Sequence, residues 1–203
     1  MYRLVESLHV VDGVVEAVES HDERLATSYR AVFGGRPPFS ISAALESTAI
    51  PQHGVQKCRV VYDRDGYVVE FAPYPSRLVR NARIVHDDGI SYPHKFTDRS
   101  ALDAAFARRA GCDEIIIVRD GRVTDAYSSN LVFFDGVRAF TPDTPLLPGT
   151  RRARLLDAGT IVEAPIRVSE IGRFASVSFI NALNDLGRVV VPVENILTPE
   201  ERL

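Results

Sequence analysis

Five Asp-Gly dipeptides punctuate this chain of 203 residues, at positions 12–13, 65–66, 88–89, 120–121 and 135–136. Asp before Gly marks a tight reversal, because both residues accept the positive φ angles that such turns demand. Four of the five stand between short apolar runs and read as antiparallel hairpins. Leu4 to Val11 returns as Val14 to Val18, and Gln56 to Asp63 returns as Tyr67 to Pro73 around Arg64-Asp65-Gly66. Glu114 to Val118 returns as Val123 to Asp125, and Leu131 to Phe134 as Val137 to Phe140. The fifth, Asp87-Asp88-Gly89, reads as a turn or linker and marks a domain boundary, giving residues 1–88 and 89–203.

Helical patterns separate the hairpins. Ser20 and Glu23 have capping-box spacing, which predicts a helix from His21 to about Phe33 that stops at Gly34-Gly35. Pro37-Pro38 breaks the chain before a second helix at about Ile41 to Ala49. Ala101 to Arg109, closed by Gly111, and Arg151 to Ala158, stopped by Gly159, complete the set. Further strands are expected at Arg77 to Val85, Thr160 to Glu163, Ile166 to Val168, Ser176 to Leu183 and Val189 to Val193. Hairpins and helices in this mixture predict an α+β (mixed α/β) fold.

Several function classes are disfavoured at once. The net charge of −3 argues against nucleic acid or an anionic membrane as partner. Cys58 and Cys112 have no CxxC spacing, and His9, His21, His53, His86 and His94 lack ligand spacing, so no metal site is expected. There is no GxGxxG after a strand, no P-loop and no GxSxG elbow. No apolar run approaches a membrane span and the amino terminus has no signal-peptide layout, so a cytoplasmic location is expected.

Lysine occurs only at Lys57 and Lys95, against 22 arginines. Arginine cannot form an imine, because its guanidinium stays protonated. Lys95 lies in Tyr92-Pro93-His94-Lys95-Phe96, and ordered pieces follow it: a helix, Asp113-Glu114-Ile115-Ile116-Ile117, Val123-Thr124-Asp125-Ala126-Tyr127-Ser128-Ser129-Asn130, Thr141-Pro142, and Leu146-Leu147-Pro148-Gly149-Thr150-Arg151-Arg152. Upstream stand Leu4-Val5-Glu6-Ser7, Asp12-Gly13 and His21-Asp22-Glu23-Arg24-Leu25 with Ser28; downstream, Val177-Ser178-Phe179-Ile180-Asn181-Ala182. In this order and spacing the chain resembles the fold-type IV pyridoxal-phosphate enzymes: branched-chain and D-amino-acid aminotransferases and aminodeoxychorismate lyase.

The resemblance implies two small domains of the D-amino-acid aminotransferase-like type, with pyridoxal 5'-phosphate in the interdomain cleft of a homodimer. It implies Lys95 as the Schiff-base lysine and proton-moving base, and Asp125 as the acid facing the pyridine nitrogen. Arg24, Thr150, Arg151, Asn181 and Ala182 fall at the phosphate, while Ser128, Ser129 and Asn130 line the adjoining turn, Asn130 in a structural capacity. A guanidinium suits a phosphate because it gives two parallel hydrogen bonds.

Four departures accompany the match. Asp125 is one methylene shorter than the usual glutamate, Arg151 stands for threonine, and Ala182 lacks a hydroxyl often found there. The chain also begins almost at the first strand of the pattern, so roughly thirty preceding residues are expected to be missing. The implied activities are amino transfer between an amino acid and a 2-oxo acid, or a lyase reaction releasing pyruvate. A protein that binds the cofactor without catalysis is the reading from a different class.

Overall fold

The computed structural model describes residues 2–75 and 78–199. It divides into two compact units. The first comprises residues 2–75 with His94–Asp98, the second residues 78–93 and 99–199. This division differs from the expected break at 88/89. The reason is that β5 (Ala82–His86) pairs in parallel with the later strand β6 (Glu114–Arg119), which draws its residues into the second unit. The expected strand began at Arg77, which lies outside the described residues.

In the first unit, β1 (Leu4–Val11), β2 (Val14–Val15), β3 (Val55–Tyr62) and β4 (Tyr67–Pro73) form an antiparallel sheet of order β2-β1-β3-β4. Asp12 and Gly13 both take positive φ, 46° and 83°, as the short β1–β2 reversal requires. Alternation along β1 places Leu4, Leu8 and Val10 in the core with Cys58, Val60 and Tyr62 of β3. Helix α1 (Val18–Phe33) closes that core through Leu25 and Tyr29, and the short α2 (Ile41–Glu46) adds Ile41 and Leu45. Side chains as deeply buried as Leu8 and Leu25 each contribute about 1.5–3 kcal/mol.

Helix α1 starts earlier than its sequence suggests. Ala17, not Ser20, is the N-cap; its left-handed φ of 55° turns the chain out of β2, and no side chain caps the helix. Ser20 therefore lies inside the first turn, and the capping box does not form. Asp22 instead reaches across to α2, accepting from Ile41 N at 2.5 Å and from Ser42 N at 3.2 Å. With Ser40 accepting from Ala43 N at 3.1 Å, it satisfies donors that a helix start leaves unpaired.

The second unit holds two sheets. One has the order β13-β5-β6-β7, with β7 at Arg122–Val123 and β13 at Ile196–Leu197. The other has the order β10-β9-β8-β11-β12, with β8 at Asn130–Phe134, β9 at Ala139–Pro142, β10 at Val162–Ala164, β11 at Ser176–Ile180 and β12 at Val190–Pro192. Their shared core contains Ile116, Val118, Phe133, Ile166, Val177 and Phe179. Two helices complete the unit, α3 (Ser100–Ala107) and α4 (Thr150–Asp157). The expected strand at Ile166 to Val168 is only a bridge, Arg122 to Arg167, leading into a 3-10 turn at Val168–Arg173.

Candidate cofactor site

In the first unit, Lys95 lies beside the open edge of β1. Strand β2 pairs only with Val10 and Val11, so the other end of β1 is covered by the Lys95 segment. Val5 N donates to Lys95 O at 2.9 Å, Thr97 N to Arg3 O at 2.9 Å, and Leu4 bridges to Phe96. Phe96 N also donates to His94 O at 2.8 Å, closing a three-residue turn with Lys95 at its apex. Lys95 has no positive φ, so this is the common inverse form of the γ-turn. Its half-buried side chain thus projects from a backbone fixed on both sides.

One residue along β1 stands Glu6, fully buried at a position where alternation calls for an apolar side chain. Its carboxylate accepts from Arg24 Nε at 2.9 Å and from Arg24 Nη2, and it meets His21 Nδ1 at 2.6 Å. Both partners come from α1, three residues apart and so on one face. Burial alone would raise the Glu6 pKa, but the Arg24 charge and the His21 and Arg24 hydrogen bonds outweigh it and hold the carboxyl down to about 2. Arg24 and Lys95 therefore flank consecutive residues of the same strand.

The second unit gathers the other expected site residues. Ile180 pairs with Asn130 across β8 and β11, which brings the turn before β8 beside the loop after β11. Asn181 Nδ2 donates to Ser128 O at 3.2 Å and Ser129 Oγ at 3.1 Å, while its Oδ1 accepts from Leu183 N at 2.9 Å and Asn184 N at 3.0 Å. Two donors and two lone pairs exhaust a side-chain amide. Asn181 thus locks this corner with its side-chain amide. Arg151 Nη1 meets Asp185 Oδ1 at 2.5 Å and its Nη2 donates to Ala182 O at 3.2 Å, tying the start of α4 to the same corner.

Asp125 is the buried acid of this cluster. Its Oδ1 accepts from Asn130 Nδ2 at 2.8 Å and its Oδ2 from Leu147 N at 3.0 Å. Burial raises its pKa to about 6, although hydrogen bonds from Leu147, Asn130 and Leu146 and the charge of Arg152 pull the other way. Asn130 Nδ2 also donates to Leu147 O at 2.9 Å and so ties Asp125 to the Leu147 segment. Tyr127 anchors the loop between Asp125 and Asn130. Its ring stacks on Phe106 at 4.4 Å, its hydroxyl donates to Asp103 at 2.7 Å, and Arg99 lies 4.4 Å over its face.

Gly149 is the N-cap of α4. A Cβ there would stand 2.1 Å from Asn130 Oδ1. Glycine is required so that the helix start can approach the turn that holds Asp125. Thr150, the first residue of α4, is buried beside it. First-turn N–H groups have no partner within their own helix, and with the macrodipole they suit an anion. Within the first unit an arginine fork and a lysine suit a phosphorylated aldehyde, and within the second a helix start and a buried acid suit an anion and a ring nitrogen. Glu6 and His21 are the functional candidates that residue-type reasoning missed; the charge at an apolar position of β1 is the signal that could have found them. Among the described residues no cluster of three or more His, Cys, Asp or Glu could hold a metal ion.

A family profile described as amino-transferase class IV matches residues 3–196. This chain belongs to the class IV aminotransferase family. Its motifs are therefore those of the fold-type IV pyridoxal-phosphate enzymes, and the protein is an enzyme of that family. An uncharacterised Haemophilus influenzae protein is 35% identical over 188 residues, covering 92% of this chain and 100% of the relative. Among solved structures, a candidate 4-amino-4-deoxychorismate lyase of Haemophilus somnus is 30% identical, with a TM-score of 0.85 over 92% of this chain and 98% of its own. A hypothetical aminotransferase of Mycobacterium tuberculosis in a pyridoxal-phosphate-bound form shares the fold, with a TM-score of 0.73 at 21% identity over 96% of this chain and 81% of its own.

Proposed function

We propose that this protein is a pyridoxal-phosphate-dependent aminotransferase that exchanges an amino group between an amino acid and a 2-oxo acid. The observation that carries the reading is Asp125, a fully buried carboxylate fixed by Asn130 and Leu147 beside the start of α4. A protein that merely stored the cofactor would have no use for a desolvated acid at this point of the motif. Pyridoxal phosphate, when bound, supplies an electron sink for charge left at a substrate alpha carbon. Asp125 would hold a proton at the pyridine nitrogen, and a positive charge there would favour the ionised acid against the effect of burial. Lys95 Nζ would hold the cofactor, and as a free amine Lys95 would move the proton at the substrate alpha carbon. Arg24 would take the phosphate through its guanidinium; Thr150 and Arg151 at the α4 start and Ser128 and Ser129 in their turn are the other proposed cofactor-binding residues. We take the working form to be a cytoplasmic homodimer, which sedimentation of the holoenzyme checks.

A second reading has its own support. The Haemophilus somnus structure, 30% identical and matched over nearly its whole length, is described as a candidate 4-amino-4-deoxychorismate lyase. That reaction shares the lysine and the sink but releases pyruvate. Both readings need alpha-proton removal, so the first measurement is proton–deuterium exchange on a panel of amino acids, with wild type and Asp125→Asn. Exchange that Asp125→Asn abolishes while cofactor stays bound supports catalysis through this acid, because the lost interaction belongs to the transition state. Pyridoxamine phosphate formed without pyruvate then supports transfer, whereas pyruvate from aminodeoxychorismate supports the lyase. No exchange on any substrate, aminodeoxychorismate included, defeats both.

A further inference from the structure

Arg24 is not a surface arginine awaiting a ligand. Glu6 holds it along one edge, through Nε to Oε1 and Nη2 to Oε2, and His21 holds Glu6 through Oε2. Glu6 and His21 are fully buried, and the Arg24 side chain is 14% exposed. Arginine loses several rotatable bonds of freedom when it grips an anion, and a carboxylate already holding the guanidinium removes that cost beforehand. A guanidinium engaged along its Nε–Nη2 edge also presents its Nη1–Nη2 edge in one fixed direction. Glu6 balances the charge of Arg24, so the arginine's contribution to an anion is directional hydrogen bonding more than net attraction. Charge in the middle of a core-facing strand position is costly unless paired. An apolar residue at position 6 would fill that position without the cost.

We propose that Glu6 and His21 are positioning residues that pre-set Arg24 to take the phosphate of the cofactor. This rests on the reading of Arg24 as the phosphate-binding arginine and extends it to residues that touch no ligand. Glu6 fixes the plane of the guanidinium. His21 holds Glu6 at Oε2, the oxygen that also takes Arg24 Nη2, so that the carboxylate keeps its place when an anion draws on Arg24. Both act through Arg24 and neither contacts the reacting atoms.

The test compares pyridoxal phosphate with pyridoxal, which lacks the phosphate, by titrating each into apoprotein and following absorbance. Arg24→Ala sets the scale, with a loss of roughly ten- to a hundredfold in affinity for pyridoxal phosphate, a charge-assisted bond's worth. Glu6→Gln, which keeps size and removes charge, weakens pyridoxal phosphate by about tenfold and leaves pyridoxal unchanged. Glu6→Asp recovers part of the loss. In the Arg24→Ala background Glu6→Gln adds nothing, since its effect passes through Arg24. Should Glu6→Gln fail to fold, His21→Gln leaves the ion pair in place and shows the same phosphate-specific loss more weakly. Equal weakening of both ligands, an unchanged affinity, or additive effects with Arg24→Ala would overturn the inference. If Arg24→Ala itself leaves pyridoxal phosphate binding intact, the phosphate reading of Arg24 falls first and this inference with it.

Discussion

Lysine is so scarce in this chain that its chemistry can be tracked residue by residue. Lys57 lies on β3 opposite His9, and Lys95 stands at the apex of a γ-turn beside β1. Borohydride treatment of protein loaded with pyridoxal phosphate should leave the cofactor's mass on the peptide containing Lys95. Lys95→Ala should abolish the label and Lys57→Ala should keep it. A label on Lys57, or one that survives Lys95→Ala, would remove Lys95 from its assigned task. Lys95, Asp125 and Arg24 were legible in sequence because each sits in a run of neighbours with fixed spacing. Glu6 was not, because its partners lie 15 and 18 residues away and only the pairing of β1 with α1 reveals them. The side-chain contacts of Asn181 were only partly legible. The bonds from its Nδ2 to Ser128 and Ser129 depend on the β8–β11 register, which no local pattern encodes, whereas those its Oδ1 accepts from Leu183 and Asn184 are local.

At the level of elements, hairpins were easier to read than helix starts. Asp12-Gly13 turns β1 back on β2 through positive φ at both residues, although β2 ends at Val15 and not at Val18, while the β3–β4 hairpin forms around Asp65-Gly66 without a positive φ. The start of α1 went astray. Ala17 adopts a left-handed conformation that its own side chain does not favour, and the tertiary demand to leave β2 overrides the local capping signal. The α4 start carries a sharper constraint. Gly149 has an ordinary φ of −77°, so alanine there meets no backbone strain, only Asn130 Oδ1 at 2.1 Å. Asn130 is tied to Asp125 and Leu147 and cannot yield without releasing them. Gly149→Ala should therefore destabilise by about 1–3 kcal/mol and weaken cofactor binding. Thermal melting paired with a cofactor titration checks both; a variant equal to wild type in both would show that the corner yields freely.

On the scale of the whole molecule, the two units carry separate cores and buried acids whose pKa values move in opposite directions. Glu6 falls from 4.5 to about 2 and Asp125 rises from 3.8 to about 6, each a differential of roughly 3 kcal/mol. The depressed pKa of Glu6 gives stability that is present above pH 4.5 and lost as pH falls toward 2. The raised pKa of Asp125 gives a contribution that is present below pH 3.8 and lost as pH rises through 6. Acidifying the cofactor-free protein should thus strengthen the second unit between pH 6 and 4.5, before Glu6 weakens the first below that range. Hydrogen–deuterium exchange, corrected for the intrinsic pH dependence of amide exchange, can follow the units separately. Amides of β6, β8 and α4 should gain protection from pH 7 to 5 in wild type but not in Asp125→Asn. Amides of β1, β3 and α1 should lose protection below pH 4.5 in wild type and less steeply in Glu6→Gln. If Asp125 faces the ring nitrogen as proposed, bound cofactor should suppress the gain in the second unit, because a positive charge there would keep the acid ionised. Parallel loss in both units, with variant profiles superimposed on wild type, would mean that neither acid governs the stability of its own unit.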